Sequence, residues 1–449
     1  MSPASLFVVA LGIVLTLPIG ARIAQRRFDP FEPIVLFVLA YGTMFVARPA
    51  HMLLTGSLSY GGVDLRAAFP VACALALVGG TAFVCGYELG AGAALARRLP
   101  APREVSTRGA VPWVAVLTAI SASLLVLVLS RSTGLSGIRR LFEGRVYDLA
   151  ESSAHSSYLW FGIRLVVPAA ICLFALALRE RRRSLIVLAA AVTALSLLVT
   201  LPLGNRVFLL PLLGAFFVLP YLSRDRRPGP LLLAAVALAA ILVSFAIGVL
   251  RDPDRKAQAG TEVMTVLREP HTLLDPILVG NDAEMAPVLA GALTAIPDPL
   301  GYRYGRATFG EIVIRPIPRE FWGGKPTAPD EKIVAEVWPG LAGIFHPVFT
   351  PLIFLYWDFG IVGVFLGMAL FGVASRSLYE WFVRSRGAFA AQVIFATALW
   401  YVVIAVRNHP AETLALSVFV LGPLVVLERI SGRRLALVTS RRAPAEPQP

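Results

Sequence analysis

The sequence predicts an all-α protein that crosses a membrane about eleven times and carries one long loop on the outer side. Three observations lead there. Hydrophobic residues fill 57% of the 449 positions and charged residues only 15%, against roughly 25% charged in a soluble domain. The mean hydropathy is +0.73, and apolar runs of about 20 residues recur, long enough to span a bilayer. Arginine clusters occupy every second gap between those runs.

The runs cover 4–20, 33–49, 67–89, 111–130, 158–178, 185–203, 206–222, 231–250, 348–372, 388–406 and 412–428. The first has no basic stretch before it and no small-residue cleavage site, so it reads as a retained helix rather than a secretory signal. The arginine clusters are Arg22/Arg26/Arg27, Arg97/Arg98, Arg179/Arg181/Arg182/Arg183, Arg224/Arg226/Arg227, Arg384/Arg386 and Arg433/Arg434/Arg441/Arg442. Cytosolic loops are enriched in Lys and Arg, so the alternation predicts an outer N-terminus and an inner C-terminus. Orientation thereby accounts for much of the net charge of +13, from 41 Lys plus Arg against 28 Asp plus Glu. Nucleic acid, the partner such a charge implies for a soluble protein, is not expected.

The chain divides into an N-terminal transmembrane bundle (1–250, about eight helices, with an outer loop at 131–157), a large extracytoplasmic loop (251–347), C-terminal transmembrane helices (348–430) and a basic cytosolic tail (431–449). Cys73, Cys85 and Cys172 lie far apart in apolar runs and read as small hydrophobes, with no disulfide or thiol chemistry.

Once the orienting arginines are set aside, a second basic set remains on the outer side. Arg139, Arg140 and Arg145 follow the fourth run, and Arg206 sits in the short turn Gly-Asn-Arg between the sixth and seventh. Arg315, Arg319 and Lys325 belong to the loop 251–347, and Arg407 to the last outer turn, VRNHPAE. That loop far exceeds the ~12–15 residues of a structureless connection and reads as functional. Its segments EVMTVLREPHTLLDPILV and EMAPVLAGALTAI predict amphipathic helices at the membrane surface.

The stretch IRPIPREFWGGKPTAPDEK (314–332) concentrates the signal. Pro316, Pro318, Pro326 and Pro329 stiffen the backbone around Arg315, Arg319 and Lys325. Gly323 and Gly324 permit a tight bend between Trp322 and Lys325, and Trp322 suits a sugar face or an interfacial anchor. Only three lysines exist, Lys256, Lys325 and Lys332, all in this loop. Cations converging at headgroup depth suit a concentrated anion such as a lipid-borne pyrophosphate. As a leaving group, a pyrophosphate gains charge in the transition state, and fixed cations lower that barrier. A proton acceptor completes such chemistry, and Glu311, His346 and Asp358 are the candidates. The bland alternative pairs these cations with Glu320, Asp330 and Glu331 on a solvated loop. Arg164, inside the fifth run, predicts either a cavity or a partner for its charge or a helix that begins later than the run. The sequence Asp-Pro-Asp at 252–254 reads as a helix end, and no metal site is expected.

YRYGRATFGEIVIRPIPREFWGGKP (302–326) resembles the Pro-Arg-x-x-Trp-x-x-Lys-Pro signature of the Wzy-type O-antigen polymerases, which join oligosaccharide repeat units. GLSGIRRLFEGR (134–145), GNR (204–206) and WDFGIVG (357–363) are similar to that family's basic outer loop, short Arg-bearing turn and Gly-rich helix. VRNHPAE departs from its Arg-Gly-Asp-like turn. The resemblance implies an inverting, metal-independent glycosyltransferase of the GT-C class in a bacterial inner membrane, without a cofactor. Its partners would be undecaprenyl-diphosphate-linked glycan donor and acceptor, membrane lipids, a chain-length regulator and a flippase. Arg319, Lys325, Glu311 and His346 are then expected in catalysis. Arg206, Arg315, Arg139, Arg140, Arg145, Trp322 and Arg407 are expected to bind substrate. An O-antigen ligase shares these features, and a polysaccharide exporter is the alternative of another class.

Overall fold

The computed structural model describes residues 2–132, 162–200, 206–239, 278, 283–315, 317, 321–342 and 347–433. These are predominantly helical. Besides a short helix at Ala91–Arg98, the helices in chain order are α1 (Pro3–Ala24), α2 (Pro33–Thr55), α3 (Phe69–Glu88), α4 (Thr107–Ser132), α5 (Val166–Glu180), α6 (Arg183–Thr200) and α7 (Arg206–Leu222). There follow α8 (Pro230–Ala239), α9 (Met285–Leu293), α10 (Glu311–Ile314), α11 (Pro329–Val337), α12 (Pro351–Arg384), α13 (Phe389–Arg407) and α14 (Pro410–Ser431).

Eight helices among the described residues, α1 to α4, α6, α12, α13 and α14, are long and apolar enough to cross a membrane. The other three predicted runs contain the shorter helices α5, α7 and α8, and parts of runs 158–178 and 231–250 lie outside the described residues. The chain is thus a polytopic, all-α membrane protein.

Two hydrophobic clusters organise the bundle. One gathers α1, α2, α3, α9, α11 and the first half of α12. The other gathers α4 to α7, α13 and α14. Within the first, α3 and α12 touch backbone to backbone. A Cβ on Gly86 would run into the carbonyl of Ala369, and one on Gly372 into that of Phe83. Small residues let apolar helices approach closely where water offers no driving force between them.

The segment EMAPVLAGALTAI forms α9, but it does not lie at a surface with one apolar face. Every residue from Met285 to Ala292 is buried. Its sequence is apolar all round, which is the pattern of an enclosed helix rather than an amphipathic one. The segment 262–279, apart from residue 278, lies outside the described residues.

The orienting arginines collect at one end of the bundle, and several are paired there. Glu32, only 4% exposed, receives Arg22 at 2.7 Å, Arg376 at 3.1 Å and the Tyr87 hydroxyl at 3.1 Å. Arg22 also reaches Glu88 at 2.9 Å, Arg227 reaches Asp29 at 2.7 Å, and Arg179 reaches Glu104 at 2.9 Å. At the same end, strand β1 (Glu104–Val105) pairs with β2 (Gly432–Arg433), joining the start of α4 to the end of α14. These arginines therefore tie helix ends together besides marking orientation. The described part of the long loop packs at the opposite end. Residues 359–375 of α12 carry no charge and at ~1.5 Å per residue span about 25 Å. That length brackets most of a ~30 Å hydrocarbon core between Asp358 and Arg376.

Candidate functional site

The site begins at a break in α12. Phe359 (φ −140°, ψ 20°) and Gly360 (φ 61°, ψ −148°) leave the helical region, and such a pair of angles at position 360 is accessible essentially to glycine alone. The break frees two carbonyls for another segment. Trp357 O accepts from Arg303 N at 2.9 Å and Asp358 O from Tyr304 N at 3.2 Å. Trp357 Nε1 donates to Gly301 O at 2.7 Å, and the Arg303 guanidinium lies 5.0 Å from the Trp357 ring centre. The loop 301–315 is thereby docked on α12 at the bundle's end.

Asp358 completes the dock. Its carboxylate, fully buried, accepts from Ala307 N at 2.9 Å and Thr308 N at 2.8 Å. These are amides at the start of the helical segment 306–314, where intrahelical acceptors are missing. Asp358 was one candidate base, but both its oxygens are engaged in capping. His409 grips the same residue from the other side. Its Nδ1 accepts from Ala411 N at 3.0 Å, which puts the ring proton on Nε2, and Nε2 donates to Ala307 O at 2.8 Å. Burial, reinforced by the Arg315 charge, pushes the His409 pKa down to about 3, so the ring is neutral.

What the dock positions is α10 with Glu311 and Arg315. Glu311 is 6% exposed, and burial raises its pKa above the ordinary carboxyl value. Arg315, Lys325 and Lys332 pull the other way, while Asp330 adds to the rise. Lys325 folds back over the end of α10, donating from Nζ to Arg315 O at 3.2 Å and Ile317 O at 2.8 Å. The predicted bend is present, with Lys325 N donating to Trp322 O at 2.9 Å across Gly323–Gly324. Phe321 (85% exposed) and Trp322 (37% exposed) project outward from it.

Arg315 also meets a second set of residues, gathered around a carboxylate that the sequence reading had not assigned. Glu412, in the first turn of α14, lies within electrostatic reach of Arg315, Arg407, Arg164 and Asp330. Arg164 lies in the turn before α5, so the helix begins later than the apolar run, and it is beside a carboxylate. A cavity of about 210 Å³ opens here, lined by Asp330, Pro347, Val348, Phe349, Phe354, Arg407, Asn408, His409 and Glu412.

Of the expected site residues, Glu311, Arg315, Lys325 and Arg407 come together, and Trp322 stands on the turn next to them. Arg206 opens α7, its side chain outside what the structure describes. Arg139, Arg140, Arg145, Arg319 and His346 lie outside the described residues, as does Asp-Pro-Asp at 252–254. Sequence reasoning missed Asn408, His409 and Glu412, although all three stand in the VRNHPAE turn that drew notice for Arg407. It named Asp330 only as an ion partner for the neighbouring cations.

No family model, no curated protein and no solved structure matches the chain.

Proposed function

We propose that the protein is a membrane glycosyltransferase that polymerises polyprenyl-diphosphate-linked oligosaccharide repeat units on the face opposite its arginine-rich end, as a Wzy-type polymerase does. The positive-inside pattern makes that face extracytoplasmic, in keeping with a bacterial inner membrane. The observation that carries the reading is the convergence of Arg315 and Arg407, from two distant segments, on Glu412, beside a cavity at the bundle's end that Arg407 and Glu412 line.

The charge balance supports it. Among the described residues, Arg164, Arg315, Lys325, Lys332 and Arg407 surround the carboxylates of Glu311, Asp330 and Glu412. Cations outnumber anions there, so a bound diphosphate would complete the set. A single contact of unit charges at about 4 Å contributes roughly 4 kcal/mol at an effective dielectric of 20. The gain is larger in the transition state, when the departing diphosphate takes up the bonding electron pair. In this reading Arg315 and Arg407 bind the donor diphosphate. Lys325, whose ammonium holds two carbonyls at the end of α10, fixes where Arg315 stands and adds its charge to the field. The uncharged run of α12 sets the cavity near a hydrocarbon edge, the depth at which a lipid diphosphate resides.

The test uses the full-length protein in vesicles with synthetic polyprenyl-diphosphate-linked repeat units, the products separated as a ladder. Wild-type protein builds the ladder on the lipid carrier. Arg315→Ala and Arg407→Ala each slow extension by about 100-fold or more, as expected for lost transition-state contacts. Full extension by both variants rejects the assignment, and transfer only to a different acceptor makes the enzyme a ligase.

A further inference from the structure

We infer that the cavity beside Arg407 is the subsite for the acceptor sugar, with Asp330 as the base for its attacking hydroxyl and Asn408 as the amide that orients it. The inference rests on the function proposed above and names the part of that site which receives the acceptor.

One unsatisfied polar atom and one amide in the same lining carry it. Asn408 is 7% exposed and lines the cavity. Native sites keep buried unpaired polar groups for a ligand or water. Asp330, in the same lining, has a buried Oδ1 that receives no donor. The hollow therefore presents an amide and a bare carboxylate oxygen. Hydroxyl groups, each both donor and acceptor, satisfy that pattern. Phe349 and Phe354 supply apolar wall for the C–H face of a sugar ring.

Both ring nitrogens of His409 are hydrogen-bonded to the backbone. Glu412 faces the charges of Arg315, Arg407 and Arg164, and Glu311 does not line the cavity. Asp330 is the lining carboxylate with a buried oxygen that lacks a donor.

The step balances as follows. The acceptor O–H proton passes to the Asp330 carboxylate while the oxygen's electron pair forms the new bond to the donor's anomeric carbon. The bond from that carbon to the donor diphosphate oxygen breaks, its electron pair leaving with the diphosphate toward Arg315 and Arg407. Asp330 then releases the proton to water.

Asp330→Asn keeps the shape and removes the base. In the vesicle assay its kcat is expected to fall about 100-fold or more, the range of a lost general base, with the donor KM unchanged. Asn408→Ala is an independent arm, expected to raise the acceptor KM about tenfold, the value of one net hydrogen bond of about 1.4 kcal/mol. Asp330→Asn running above about a tenth of the wild-type rate overturns the base; an unchanged acceptor KM in Asn408→Ala overturns the subsite. Wild-type protein that builds no ladder rejects the proposed function itself, a separate outcome.

Discussion

Asp358 and His409 hold Ala307 between them, one accepting its N–H and the other donating to its C=O. Asp358 stands on α12 and His409 in the turn before α14, so a single residue of the long loop joins two membrane helices at the site's base. The position of Arg315, eight residues further along the chain, depends on that grip.

The grip predicts a measurable loss. Asp358→Ala leaves two buried amides without acceptors and is expected to destabilise the protein by about 2 kcal/mol or more. Gly360→Ala should cost about 1–3 kcal/mol, since its dihedral pair strains any residue with a Cβ. Thermal unfolding in detergent measures both. Wild-type stability in Asp358→Ala would show that the cap does not hold the loop.

His409 predicts a pH dependence. Its folded pKa of about 3 lies below the ordinary 6.5, so the unfolded chain binds the proton more tightly. Stability from this group is complete above pH 6.5 and declines as the pH falls toward 3. Between pH 6.5 and 5 the loss amounts to about 1.5 kcal/mol. His409→Gln, whose amide N–H still reaches the Ala307 carbonyl, should lack that part of the slope. The observable is the difference between the two stability–pH curves.

Glu311 has the opposite sign. Burial raises its folded pKa above 4.5, so its ionised form is disfavoured at neutral pH and the penalty is relieved as the pH falls. Glu311→Gln is therefore expected to gain stability over the wild type at pH 7. The gain should shrink as the pH drops through the folded value toward 4.5. A constant difference across that range would assign the effect to hydrogen bonding rather than charge.

The contact of α3 with α12 predicts intolerance to a single methyl group. Gly86→Ala places a Cβ against the Ala369 carbonyl, and overpacking of this kind costs about 1–3 kcal/mol. Gly90, whose added Cβ meets nothing within 4 Å, is the control. Gly90→Ala should express and unfold like the wild type.

Much of the architecture was legible because the bilayer imposes it locally. A run of about 20 apolar residues spans whatever its neighbours do, and eight of the predicted runs stand as helices long enough to cross. The bend at Gly323–Gly324 was equally local, since two glycines beside a proline-rich stretch favour one. The segment 284–296 shows the limit. Its helix was expected, but its burial on every side depends on what packs around it, and no short-range pattern reports that.

The sequence by itself determined a polytopic helical membrane protein with its arginine clusters toward one side, because hydropathy and charge alternation act residue by residue. Only the tertiary structure decided which charges meet. Glu412 lies far along the chain from Arg315 and Asp330 and becomes their neighbour through a break in α12 and a neutral histidine, and electrostatic energy depends on separation in space.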